Sequence, residues 1–159
     1  MPTDADITMM HRALALAREA AALGEVPVGA VVYRTRDDGS TEILGEGFNR
    51  REIDNDPAAH AELLAIRAAA KALGDWRLEH CSLAVTLEPC PMCAGLIVNA
   101  RVARVLYGAD DPKAGACRSL FALTTDARLN HRVELVPGVL ADESSAMLKH
   151  FFRSLRERG

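Results

Sequence analysis

Two short stretches carry residue types that can do chemistry together: His60-Ala61-Glu62, and Pro89-Cys90-Pro91-Met92-Cys93. One imidazole nitrogen and two thiolates make three protein ligands for a zinc ion. Structural zinc sites close with a fourth protein ligand, whereas catalytic sites leave that position to water. Glu62, two residues from the histidine, is free to move protons on that water. The spacing therefore predicts one zinc per chain, held by His60, Cys90 and Cys93, with Glu62 as the acid–base group.

The elements that must position these residues are readable from periodicity and punctuation. Ile7, Met10, Leu14, Ala17 and Ala21 recur at helical spacing, which predicts an amphipathic helix over about 5–23, stopped at Gly24. Val28–Tyr33 reads as a buried strand, Asp38-Gly39 as a hairpin turn, and Glu42–Phe48 as the returning strand. Asp56 followed by Pro57 reads as a helix start, so His60 and Glu62 fall near the beginning of a helix running to about Leu73, with Gly74 as its stop. On such a helix two residues two apart point roughly 200° apart. Either the glutamate reaches round the metal or the first turn is irregular.

Cys81–Leu87 is almost wholly apolar, as in a central strand covered on both faces. Pro91 then opens a helix to about Ala100, placing Cys90 and Cys93 one turn apart, where backbone N–H groups favour thiolates. A strand at Val102–Tyr107, a polar loop at 108–116, a short helix near Arg118–Leu123, a strand at Arg132–Val136 and a helix from Asp142 to Arg156 complete the chain. In that last helix Met147, Leu148, Phe151, Phe152 and Leu155 share one face. This order predicts an α/β fold: one three-layer α/β/α domain over residues 1–159 with a central mixed five-stranded sheet.

Composition sets the bounds. With 159 residues, 49% hydrophobic and 26% charged, the chain has the make-up of an ordinary soluble domain with room for a core. No apolar run approaches a membrane span, and the polar start Met1–Asp6 is no signal peptide. Four cysteines, two of them in one C-x-x-C, favour metal or redox chemistry over a disulfide framework and predict a cytoplasmic protein. A net charge of −3 is not that of a non-specific nucleic-acid binder. Locally, however, Lys149, Arg153, Arg156 and Arg158 face only Glu157. Such a basic end can bind phosphates, although cations in a last helical turn also simply complement the helix dipole.

Each half of the metal motif is weak alone. A C-x-x-C can be a redox pair, and a histidine near a helix start is usually structural. Their joint context, each opening a helix and the second following a buried strand, strengthens the pair. Cys81 reads as core packing. Cys117 lies beside the polar loop and as a fourth ligand would remove the water position. His80 and His131 have no such placement.

The H-x-E…P-C-x-x-C arrangement is the established signature of zinc nucleobase deaminases. The longer runs resemble the bacterial tRNA-specific adenosine deaminases: Glu25–Ala30 (EVPVGA), Gly45–Arg50 (GEGFNR), Asp56–Glu62 (DPAAHAE), Thr86–Gly95 (TLEPCPMCAG), Asp111–Ala116 (DPKAGA), Asn130-His131 and Phe151–Arg153 (FFR). The zinc motifs identify only the wider cytidine-deaminase-like fold; the DPKAGA loop, the Asn-His pair and the FFR ending carry the narrower resemblance. It implies deamination of adenosine to inosine at the tRNA wobble position, zinc on His60, Cys90 and Cys93, and Glu62 as proton shuttle. It further implies that Asn49 contacts the flipped nucleoside, Leu87 walls the base pocket, and Asp111 lies on a loop over neighbouring nucleotides. Phe152, Arg153 and Arg156 would belong to a terminal helix facing the tRNA anticodon stem-loop, on a homodimer. The Arg34–Thr41 hairpin is longer than the family's, and Asp110 beside Asp111 adds negative charge to the loop. The rival readings are a zinc deaminase of free bases or small nucleosides such as guanine or cytosine, a non-catalytic RNA-binding zinc module, and a redox dithiol protein.

Overall fold

In the computed structural model, which describes residues 1–158, five strands form one sheet in the order β2-β1-β3-β4-β5. Residue 159, the end of the basic C-terminal stretch, lies outside the described residues. The strands are β1 (Gly29–Thr35), β2 (Thr41–Phe48), β3 (Ser82–Leu87), β4 (Arg104–Ala109) and β5 (Glu134–Val136). The helices are α1 (Asp4–Ala22), α2 (Ala61–Leu73), α3 (Pro91–Asn99) and α4 (Ala141–Arg158). β1 pairs antiparallel with both β2 and β3, whereas β3, β4 and β5 run parallel, so the sheet is mixed as expected.

Alternation along the central strands builds two apolar layers. Ala30, Val32, Leu83, Val85, Val105 and Tyr107 point to the side covered by α2 and α3. Val31, Tyr33, Ala84 and Leu106 point to the other side, against Met9, Met10, Ala13 and Leu16 of α1. α4 packs on that second side, over β4. The α/β/α layering follows from this period-two burial.

Local chemistry fixes the ends. Thr3 caps α1 through a reciprocal pair: its hydroxyl accepts the Asp6 N–H at 3.1 Å, and Asp6 Oδ2 accepts the Thr3 N–H at 2.8 Å. Asp6 is also buried against the Tyr33 hydroxyl (2.7 Å) and the Arg104 guanidinium (2.9 Å), tying α1 to β1 and β4. α2 lies very close on β2, because Gly45 and Gly47 present no Cβ to the α2 backbone at Ala65 and Ala61. Any side chain at Gly47 would push the start of α2, and with it His60, away from the sheet.

Two expectations are corrected. The second helix begins at Ala61, not at Asp56-Pro57. Asp56 caps a turn instead, its Oδ1 accepting the Ala58 N–H at 2.9 Å. Residues 118–123 form no helix: turns occupy that stretch, and a single 3-10 turn follows at Leu123–Thr125. The Glu88 carboxylate takes the backbone N–H groups of Cys117, Arg118 and Ser119 at the start of that stretch. On α4 the expected apolar face is only partly covered; Phe151 is buried, but Phe152 and Leu155 are 42% and 45% exposed. Among the described residues no helix is long and apolar enough to cross a membrane.

Candidate active site

The start of β1 and the ends of β2, β3 and β4 meet at one edge of the sheet. There a cavity of about 220 Å³ is bounded by Val26, Asn49, His60, Glu62, Leu87 and Asp111, among others. Its floor is the pair of helix starts that the sequence singles out. His60 is the residue before the first turn of α2, in extended conformation (φ −81°, ψ 151°). Cys90 holds the same place before α3 (φ −75°, ψ 173°), with Pro91 as the first helical residue. Because His60 stands outside the helix, it and Glu62 are not held 200° apart, and both border the cavity. The irregular alternative for this first turn is the one adopted.

His60 Nδ1 faces Cys90 Sγ and Cys93 Sγ at 3.6 Å each, and the three donor atoms lie within 4.8 Å of one another. Cys93 is fully buried behind Cys90. The hydrogen bond from Cys93, together with His60, draws the Cys90 thiol down to about 4 despite its burial. Cys93 is correspondingly pushed up by that same bond and by desolvation. The Cys90 contact raises His60. One imidazole nitrogen and two sulfurs, one of them readily ionised, suit a borderline-soft divalent cation of the zinc type. Among the described residues this is the one such group, and its open side is the cavity. Cys117 is buried in the core and His131 Nε2 bonds the Val102 carbonyl at 2.7 Å, so neither closes the site.

Glu62 is 4% exposed. Burial pushes its carboxyl up to about 7, against the opposing pull of the His60 charge and of its own backbone N–H. A carboxyl in that range both gives and accepts protons near neutral pH.

The match to known proteins agrees with this arrangement. A family model described as MafB19-like deaminase matches residues 4–156. The tRNA-specific adenosine deaminase of Haemophilus influenzae is 47% identical over 152 residues, covering 96% of this chain and 86% of that one. A solved tRNA:A34 deaminase, described with A-to-I editing at the wobble position of transfer RNA, superposes with a TM-score of 0.82 at 41% identity, over 89% of this chain and 99% of the other. The chain belongs to the tRNA-specific adenosine deaminases. The guanine deaminase of Bacillus subtilis has the same fold but fits less well, with a TM-score of 0.59 at 34% identity over 94% of this chain and 92% of that one.

Against the pattern of the tRNA-specific adenosine deaminases, the residues singled out in sequence fall into two places. Asn49, Leu87 and Asp111 line the cavity with His60, Glu62 and Cys90. The Asn49 side chain bridges two loops, Nδ2 donating to the Val26 carbonyl (3.2 Å) and Oδ1 accepting from the Arg51 N–H (3.1 Å). One amide hydrogen and one lone pair remain for a ligand. Phe152, Arg153 and Arg156 lie on α4, are exposed, and do not border the cavity. Asp110 is neutralised internally by a two-pronged contact with Arg118 at 3.0 Å and by the Tyr107 hydroxyl, so its added charge does not stand free.

Sequence reasoning missed two organisers. Glu88 is 2% exposed and accepts backbone N–H bonds from Asp111, Cys117, Arg118 and Ser119, and a further one from the Ser119 hydroxyl. Glu25 is 1% exposed and accepts the Glu52 and Ile53 N–H groups at 3.1 and 2.7 Å. The only sequence signal was an acid at the edge of an apolar stretch, and nothing local names its partners.

Proposed function

We propose that this chain is a zinc-dependent deaminase converting adenosine to inosine at the wobble position of a tRNA anticodon, a single-domain cytoplasmic protein acting as a homodimer with one zinc per chain. The observation that carries this reading is the convergence of His60 Nδ1, Cys90 and Cys93 with buried Glu62 at one cavity, in a chain whose relatives act on tRNA.

Zinc bound there would supply Lewis acidity, bringing the pKa of a water molecule close to neutrality. His60, Cys90 and Cys93 would hold the ion, with the cavity beside them open to water and substrate. Glu62 accepts a proton from the attacking water and protonates ring nitrogen N1 of adenine as C6 is attacked. It then takes the second proton from the hydroxyl now on C6 and delivers it to the amino group, which leaves as ammonia while the C6 oxygen becomes the carbonyl of inosine. A carboxyl raised by burial to about 7 suits both transfers. Asn49 orients the nucleoside with its uncommitted amide hydrogen and lone pair, Leu87 walls the base, and Asp111 borders the loop above. A base stacked in a loop cannot reach this floor, so the target adenosine is splayed out, at modest cost in a single-stranded anticodon. Phe152, Arg153 and Arg156 meet RNA outside the cavity.

The test compares inosine formation in an anticodon stem-loop with ammonia release from free guanine and cytosine, alongside metal analysis. Inosine in the stem-loop and one zinc per chain, lost in Cys90→Ser, are expected. Release from free bases alone would assign the chain to small-molecule deamination. Stem-loop binding without any ammonia would leave an RNA-binding module. Light scattering giving a monomer mass at micromolar concentration would remove the homodimer.

A further inference from the structure

Arg51 borders the cavity beside Asn49, His60 and Glu62, and its side chain is exposed. It has no counter-charge, unlike several other arginines of the molecule. Arg50 grips Asp54 through two bonds at 3.0 and 3.1 Å and lies over the Phe48 ring. Arg118 is held by Asp110, Arg128 by Asp126, and Arg12 by Glu46. Among the described residues no carboxylate lies within 4.0 Å of the Arg51 guanidinium, and no side-chain hydrogen bond engages it.

Its backbone, by contrast, is held from several directions. Asn49 Oδ1 accepts the Arg51 N–H at 3.1 Å, and the Arg51 carbonyl accepts the Asp56 N–H at 3.1 Å. Arg50 donates its N–H to the Ala59 carbonyl at 3.0 Å, while buried Glu25 takes the next two N–H groups along the chain. The loop is thus rigid where it carries the cation. A fixed backbone with an unpaired guanidinium at a cavity mouth is a preorganised anion contact.

We propose that Arg51 binds a phosphodiester flanking the adenosine that enters the cavity, and so positions the RNA strand over Glu62. This rests on the reading of the protein as an RNA deaminase. The adenine base is neutral and occupies the interior, while its two flanking phosphodiesters stay at the mouth, where Arg51 lies. Arg51 positions the substrate and takes no part in proton transfer.

The zinc-loaded protein, its Arg51→Gln variant and its Arg51→Lys variant are each assayed for inosine formation. Substrates are an anticodon stem-loop and two analogues in which the phosphate on one or the other side of the target is a neutral methylphosphonate. With the native stem-loop, Arg51→Gln raises KM by roughly three- to tenfold at low salt while kcat changes little. Its log–log salt slope falls by about 0.7, the value for one single-strand phosphate contact. At one of the two linkages the neutral analogue costs the parent protein a similar factor and costs Arg51→Gln almost nothing further. Arg51→Lys recovers part of the loss. Independent, multiplying losses at both linkages, or an unchanged KM and salt slope, would overturn the Arg51 contact while leaving the RNA-deaminase reading intact. A parent protein that forms no inosine in the native stem-loop would remove that reading and this inference with it.

Discussion

Glu88 Oε1 accepts the backbone N–H of Asp111 at 3.0 Å, joining residues 23 apart in sequence. Glu88 ends the run that leads into Cys90, and Asp111 begins the loop over the cavity, so one carboxylate sets the distance between the Cys90 turn and the loop above it. Its other bonds hold the loop's far end at Cys117, Arg118 and Ser119. Gly115 lies directly against the carboxylate, where any Cβ would overlap it.

Replacing Glu88 by Gln removes an acceptor oxygen and leaves buried N–H groups unpaired, which costs about 1–3 kcal/mol of stability. Burial alone would raise the Glu88 carboxyl, but the Ser119 hydroxyl and the backbone N–H groups hold it below the usual carboxylate range. Gly115→Ala pushes on the same contact from the other side. Urea titration of both variants checks this; unchanged midpoints would show that the loop is held by other contacts.

Glu62→Gln is expected to keep the fold and the metal and to lose at least about 10²–10⁴-fold in turnover, the value of a single general acid–base group. Zinc content and single-turnover inosine formation on the same preparation separate lost metal from lost proton transfer. Retained turnover would assign the proton transfers to another group.

Asp6 predicts an acid-sensitive fold. Burial alone would raise its carboxyl, but the bonds from Arg104, the Thr3 backbone and Tyr33 outweigh it and hold Asp6 well below the ordinary carboxylate range. A depressed folded pKa means the unfolded chain binds the proton first. The contribution is therefore full at neutral pH and declines as pH falls below the ordinary carboxylate value towards the folded one. Asp6→Asn should lower neutral-pH stability by about 2–4 kcal/mol and flatten the acid side of the stability profile. Urea midpoints from pH 7 downward measure both effects, and parallel profiles would exclude Asp6 as the source.

Arg153 and Arg156 stand exposed on α4 without a carboxylate partner among the described residues. If they meet RNA phosphates, changing both to Gln weakens stem-loop binding and lowers the salt slope by roughly 0.7–0.9 for each lost contact. If they only complement the helix dipole, stability falls by a few tenths to about 1 kcal/mol while RNA affinity holds. Affinity across a salt series and a urea titration on one double variant decide between the two.

The cluster of His60, Cys90 and Cys93 was legible in the sequence because donor type is a property of the residue, and these three have types that could hold a metal at two helix starts. The alternation of Ala30, Val31, Val32 and Tyr33 and the stripe of α1 likewise carried the layered fold, since burial periods of 2 and 3.6 are local. Where α2 begins was decided by tertiary structure. Asp56-Pro57 is a sound local helix start, but Gly45 and Gly47 bring the strand against Ala61 and Ala65, and the chain enters the helix only there. That choice sets His60 outside the helix and lets it share a cavity with Glu62. The Arg118–Leu123 segment forms turns, and its start is held from afar: Glu88, 29 to 31 residues away, accepts the N–H groups of Cys117, Arg118 and Ser119. Local sequence fixes which bonds a residue can make, whereas contacts across tens of residues decide which of them are made, and here those contacts run through Glu88, Glu25 and Asn49.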